Sequence, residues 1–280
     1  MKSVNMIDLC MQDLKTGGET MKKEIRYEEL TLKETSGGYI VTACDKDAVS
    51  VVIPWRAWDI PIVAIGDRAF EDCTALESVV FSEPDWEEYL PGDELTEIGE
   101  YAFSGCAALH EITLPDSVSV VWRGAFYGCE ALKTVEFSKS PYFAPYVFAR
   151  CSQLVSVSPL KNVSEGLFYD CKALESAEIL AGCEEIDEDA FEHCEALSEI
   201  TIPASVKRID GLAFRSCYAL SRVTFEETDG WQVSNRYTRR VVAIDVSDPE
   251  ENARDLKGVD FDDGIVAWYR KGGNHDEEDV

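Results

Sequence analysis

Apolar residues recur along this chain in a fixed frame, with polar residues filling the gaps between them. The frame is clearest at residues 190–203, AFEHCEALSEITIP. The phrase F-x-x-C-x-x-L occurs seven times, at Phe70/Cys73/Leu76, Phe103/Cys106/Leu109, Phe126/Cys129/Leu132, Phe148/Cys151/Leu154, Phe168/Cys171/Leu174, Phe191/Cys194/Leu197 and Phe214/Cys217/Leu220. Successive cysteines lie 33, 23, 22, 20, 23 and 23 residues apart. The unit is therefore 23 residues, with one long insertion and two shortened copies. A period of this length signals a stacked repeat architecture.

Further columns keep the phase. Five residues before each Phe stands Ile65, Ile98, Val121, Phe143, Val163, Ile186 or Ile209; nine after it comes Val79, Ile112, Val135, Val157, Ala177, Ile200 or Val223. The segment L-x-x-V-x-F alternates apolar and polar residues at its end, as a half-buried strand must. A-F-x-x-C-x-x-L spaces its apolar residues by three, as a short helical turn does. One strand and one helical turn make one coil. A single coil cannot bury its apolar side, so coils must stack, with parallel strands about 4.8 Å apart.

These residues, LxxLxL followed by IGxxAFxxC, resemble the BspA-like leucine-rich repeat family over roughly residues 48–225. The resemblance implies an α/β repeat fold: a right-handed solenoid with a parallel concave sheet, short helical turns on the convex side and a small α+β C-terminal cap. It also implies binding to host or bacterial surface proteins for exported relatives.

The chain divides accordingly. Residues 1–24 are expected to be a disordered leader or a start artefact, since Met21 followed by KKEIRYEEL reads as a more natural start; no apolar run there reaches the length of a signal-peptide core or a membrane span. As it stands the sequence reads as cytoplasmic, although the resembled family is often exported or surface-exposed. Residues 25–61 form an N-terminal cap, with two strands joined at Ser36, Gly37 and Gly38 and a half-repeat in which Pro54 matches Pro115 and Pro203. The seven repeats span 62–225. A C-terminal cap follows at 226–271, with strands in WQVSN, RRVVAIDV and IVAWYRK around a helix for which Ser247 is the N-cap candidate. An acidic tail closes the chain at 272–280.

Length variation is confined to one rim of the coils. The largest insertion, residues 82–94 (SEPDWEEYLPGDE), carries Trp86 and Tyr89 among acidic residues. Loops that interrupt a repeat at one rim often bind partners, and Trp and Tyr are enriched in binding hot spots. Deleting residues 83–92 restores the 23-residue spacing, so the deletion variant is expected to keep the wild-type circular-dichroism spectrum and a cooperative melt; global unfolding would make the insertion structural.

The outward strand positions form a polar ladder. The candidate partner-binding residues on it are Glu111, Thr113, Thr134, Glu136, Glu178, Glu199, Thr201 and Arg222, together with Trp86 and Tyr89 on the rim. The formal charge of -28 argues against nucleic acid, which is bound by clustered lysine and arginine. It favours solubility and the steering of a basic partner.

Seven of the ten cysteines occupy the repeat column, and Cys183 stands in an apolar column with Val118 and Val206. Only Cys10 and Cys44 lie outside an expected core position. With no C-x-x-C pair, the thiols read as small, reduced packing groups rather than metal ligands. His193 beside Cys194 is not a nucleophile pair, because neighbours on a turn point apart. Asp260, Asp262 and Asp263 lack the remaining ligands of a calcium loop. Neither phosphate-binding nor hydrolase motifs occur.

The sequence thus reads as a non-catalytic protein-interaction module without cofactor or metal. Its partner is a protein, it has no membrane span, and a monomer is preferred. One alternative is a cell-surface adhesin for carbohydrate or cell-wall material, with Trp122, Tyr127, Tyr146 and Tyr169 as an aromatic platform. The other is an enzyme with its site in the C-terminal cap.

Overall fold

The computed structural model describes residues 24–82, 92, 94–235, 240–257 and 265–270. Trp86, Tyr89, Asp260, Asp262 and Asp263, together with the expected leader and tail, lie outside the described residues; the cap strand Glu24–Tyr27 begins at the leader's last residue.

The described residues form a solenoid of about eight turns with mostly parallel strands and one short helix, Pro249–Lys257. The repeat columns are its core. All seven repeat phenylalanines are buried, and their rings stack in one file: Phe70 to Phe103 at 4.6 Å between centroids, then 5.2, 5.7, 5.7, 5.4 and 5.1 Å down to Phe214. The file exists because the 23-residue period returns a phenylalanine to the same place in every coil.

The expected strands pair in parallel and in register. Glu111–Thr113 pairs with Thr134–Glu136, which pairs with Ser156–Val157; Glu199–Ile202 pairs with Arg222–Phe225. The half-repeat strand Ser50–Ile53 pairs with Ser78–Phe81, extending the ladder one rung beyond the complete repeats.

Most coils add a second strand at the column five residues before Phe, usually only two or three residues long, and at Val163 it shrinks to a single bridge to Ile186. Ile60–Ile65, Glu97–Ile98, Val120–Val121 and Tyr142–Phe143 pair successively in parallel. The antiparallel cap strands Glu24–Tyr27, Leu30–Glu34 and Tyr39–Cys44 continue this sheet; the sequence reading had two of the three. After Phe143 comes the shortest coil, and there a side chain stands in for the backbone. Asn162 Nδ2 donates to the Phe143 carbonyl at 2.7 Å, and its Oδ1 accepts from the Phe143 N–H at 3.0 Å.

The turn side is a third ladder. The N–H of Phe70 donates to Ala102 O at 2.7 Å, that of Phe126 to Val147 O at 2.9 Å, and that of Phe191 to Ala213 O at 2.8 Å; residues two before and two after Phe, such as Arg68 and Asp72, donate forward in the same way. The intervening N–H groups close short turns within the coil, as Glu71 does on Arg68 O and Cys73 on Phe70 O. This alternation needs left-handed residues on either side of Phe: Arg68 and Asp72 have φ of 58 and 55°, Asp189 and His193 of 56 and 61°. They break each helical turn into single turns and aim every second donor at the next coil. At Gly124 and Gly166 the same conformation leaves room for a neighbour, since an added Cβ would lie 2.5 Å from the Tyr101 ring and 2.2 Å from the Tyr146 ring.

Six cysteine thiols join this scheme. Cys106, Cys129, Cys151, Cys171, Cys194 and Cys217 donate to the phenylalanine carbonyl of the preceding coil at 3.0–3.3 Å. The thiol fits the space of a small apolar group and adds a second donor to a carbonyl that already accepts the cysteine N–H of its own coil. Cys44, expected outside the core, is buried as well, because the cap strand that ends on it extends the cysteine column by one rung.

The C-terminal cap closes the last coil. Asn252, on the helix and buried, donates to Val223 O at 3.0 Å and Val246 O at 2.9 Å, and Lys257 reaches Leu220 O at 2.6 Å. Strand Ile265–Arg270 pairs antiparallel with Arg208–Asp210, ending the second ladder. The N-cap is Asp248 rather than Ser247: its Oδ1 accepts from the N–H groups of Glu250 and Glu251 at 2.9 and 3.2 Å. Pro249 starts the helix at N1, which makes the residue before it the cap.

Candidate partner-binding face

Most of the outward ladder residues are brought together in two rows, in two separate sheets; Glu178 lies in no strand between them, its carbonyl accepting from the Leu160 N–H at 2.9 Å. Pairing places Thr134 between Glu111 and Ser156, Glu136 beside Thr113, Glu199 beside Arg222 and Thr201 beside Thr224. Glu111, Thr113, Glu136, Glu178, Glu199, Thr201 and Arg222 are exposed, and Thr134 is half-buried. The face carries four carboxylates against one guanidinium among these candidates. Its N-terminal end is different: Val52 and Val80 lie side by side and exposed, with Ser78 Oγ donating to Ser50 Oγ at 3.0 Å in the neighbouring row. The half-repeat and its Val52 were not among the sequence-read ladder positions, although the match of Pro54 to Pro115 would have extended the rows to them.

The expected aromatic platform is not assembled as read. Tyr127, Tyr146 and Tyr169 are half-buried and engaged by the rod itself: Arg150 lies 5.6 Å from the Tyr127 ring centroid, Tyr146 Oη donates to Glu165 at 2.7 Å, and Tyr169 meets His193 edge-on at 6.1 Å. Trp122 stays 40% exposed with its indole N–H on Glu97 Oε2 at 3.1 Å, and Tyr142 on the next coil is 53% exposed. Tyr142 was missed because nothing in the repeat columns distinguishes its outward position.

The other cluster not read from sequence joins the last repeats on the turn side. Glu192 is 1% exposed and accepts from Arg215 Nε at 2.7 Å and from Arg215 Nη2, with His193 Nε2 at 3.4 Å. Asp189 sits beside it. Burial first, then a hydrogen bond to Glu192 and that group's charge, push the Asp189 carboxyl up to about 7. The donors of this cluster are spent on coil-to-coil contacts. It acts as a polar joint in the rod. His193 and Cys194 do not meet: the imidazole faces Glu192, and the thiol faces the Phe168 carbonyl at 3.3 Å. Among the described residues no three His, Cys, Asp or Glu side chains are grouped as a metal ion requires, and no helix is long and apolar enough to cross a membrane.

The family model and one solved structure agree with this geometry. The family model described as the BspA type leucine rich repeat region matches in 6 copies over residues 64–165 and 161–234. A leucine-rich repeat protein of T. pallidum superposes with a TM-score of 0.59 at 27% identity, over 71% of this chain and 91% of that one. The pneumococcal vaccine antigen PcpA matches at 14% identity and a TM-score of 0.45, over 72% and 70% of the two chains. A leucine-rich repeat protein from Eubacterium ventriosum matches at 21% and 0.43, over 64% and 55%. None of the curated proteins compared matches the chain.

Proposed function

From the premise that the chain belongs to the BspA-type leucine-rich repeat family, we propose that it is a non-catalytic interaction module that binds a protein partner through the exposed strand ladder, with the insertion bearing Trp86 and Tyr89 as a second contact. The observation that carries this reading is the row geometry. Parallel, in-register pairing holds the backbone positions of Glu111, Glu136, Glu199 and Thr201 in a solvent-facing array, so that little backbone order is lost on binding. The surplus of carboxylates suits a partner with a basic surface and speeds its encounter.

The test is retention of proteins from lysate and surface extracts on the immobilised chain. Glu136→Lys with Glu199→Lys is expected to weaken retention of the partner at least tenfold, and to abolish the salt dependence of binding. Trp86→Ala with Tyr89→Ala tests the rim separately. Unchanged retention by the charge-reversed variant would sink the ladder reading.

A second reading rests on Trp122 and Tyr142, whose exposure on adjacent coils, with Glu97 beside them, suits stacking on a sugar ring. A glycan array lost on Trp122→Ala would favour this adhesin over the protein partner.

A further inference from the structure

The two ends of the rod finish on strands of opposite character. At the N-terminal end the outermost strand is Glu24–Tyr27, where exposed Glu24 and Arg26 alternate with half-buried Ile25 and Tyr27. Charged side chains on an outer strand discourage further pairing. At the C-terminal end the outermost strand is Arg240–Ala243, which among the described residues pairs only with Trp231–Asn235. Its Val241, Val242 and Ala243 carry no charge and are all exposed, the two valines by 50 and 53%.

A core column runs out onto this strand. Register places Ile186 beside Ile209, Ile209 beside Trp268, Trp268 beside Val233 and Val233 beside Val242. Residues directly opposite on paired strands share a face, so all five lie on the face that covers the core. Burial fails along the row: Ile186, Ile209 and Trp268 are buried, Val233 is half-buried and Val242 is open.

The free edge sets what can cover it. The Ile244 N–H donates to Trp231 O at 3.0 Å. By the alternation of a strand, Val242 also turns its backbone groups toward Trp231–Asn235, whereas Val241 and Ala243 turn theirs outward. An antiparallel partner bonds to those two residues. When the partner is the same strand of a second copy, Val241 of each copy meets Ala243 of the other, and Val242 faces its own counterpart across a two-fold axis. Such pairing keeps the faces, so each Val242 covers the other at the spacing of a non-hydrogen-bonded pair, about 4.5 Å between Cα atoms. It also sets Arg240, which opens the strand, against the end that Asp245 follows; a parallel arrangement sets like ends together.

We propose that strand Arg240–Ala243 is a self-association edge, through which two copies join end to end as an antiparallel, two-fold dimer in place of the monomer expected from the sequence. The occupant is a second copy because the register that uses the outward backbone groups is also the one that covers the core column with itself. The partner-binding ladder takes no part. Two chains of charge -28 repel at low salt, so dimerisation strengthens as salt is added, whereas salt releases a basic partner from the ladder.

Sedimentation velocity of the full chain over a concentration series is expected to show monomer and dimer in equilibrium, with a dissociation constant that falls about tenfold between low salt and about 0.5 M sodium chloride. Val242→Lys is expected to leave monomer alone, with an unchanged melting temperature, since this side chain is already half exposed. Mild oxidation tests the register. Val242→Cys is expected to give a covalent dimer joined at position 242, because the Cα spacing lies within the roughly 4.4–6.8 Å that a disulfide spans; Val241→Cys, set opposite Ala243, is expected to give none. The proposal is overturned if the wild-type chain stays monomeric at every concentration and salt, which would leave the edge to a strand of another protein. It is equally overturned if the dimer survives Val242→Lys or if both cysteine variants cross-link alike. Hydrogen exchange on the wild-type dimer decides the question even if a variant fails to fold: slowed exchange at the Val241 and Ala243 amides is expected, and unchanged exchange there places the contact elsewhere and sinks the proposal.

Discussion

Phe126→Ala is expected to lower the unfolding free energy by about 3–5 kcal/mol, read as a shift in urea midpoint. Phe126 is fully buried, and its ring stacks on Phe103 at 5.2 Å and on Phe148 at 5.7 Å. Truncation opens a cavity in the middle of the file, and the rings on either side cannot close on each other, because their coils are fixed by ladders on three sides. In a stacked-repeat protein the loss falls on two interfaces at once. Phe70→Ala removes a ring with one stacked neighbour among the described residues, Phe103, so it is expected to cost less by the value of one aromatic pair, about 0.5–1.5 kcal/mol. A loss under about 1 kcal/mol at Phe126 would contradict the buried file.

Arg215→Leu is expected to cost about 3 kcal/mol at pH 8, the lower end of the range for breaking a buried ion pair, because the Arg215 side chain is 24% exposed while that of Glu192 is 1% exposed. The substitution strands the Glu192 carboxylate beside Asp189 with its principal donor removed. A change below 1 kcal/mol in the urea midpoint analysis would show that the joint is not held by this pair.

Asp189 supplies the companion measurement. Its folded-state pKa of about 7 lies above the ordinary 3.8, so the folded chain holds a proton that the unfolded chain releases. The contribution to stability is therefore full below pH 4 and is lost as pH rises from there through 7. Asp189→Asn removes that loss, and asparagine also suits the left-handed backbone at φ 56°. The variant is expected to be more stable than wild type at pH 8 by on the order of 1–2 kcal/mol, a value reduced for the partial exposure of the site, and indistinguishable from it near pH 4. Equal stability at both pH values would remove Asp189 as the proton holder.

Much of the fold was legible because the same positions recur. The Phe, Cys and Leu columns, the strand at the Val79 column and the outward ladder follow from a period and an alternation that no single residue has to carry. The ladder candidates from Glu111 to Arg222 were found for the same reason: once the inward column is known, its neighbours must face out. The second short strand was harder to read, since only two residues per coil pair there.

The sequence by itself determined that the chain stacks 23-residue coils, which side chains fill the core and which face solvent on the strand ladder, because repetition multiplies a weak local preference into an unmistakable pattern. The tertiary structure alone decided the polar bonds between coils: the thiols on phenylalanine carbonyls, Asn162 in place of a strand, and the meeting of Asp189, Glu192 and Arg215. The partners that bond across coils lie 19 to 36 residues apart, whereas Asp189 and Glu192 share one turn. Outside the recurring Cys–Phe column their residue types vary from coil to coil, and it is stacking at strand spacing that makes all of them neighbours.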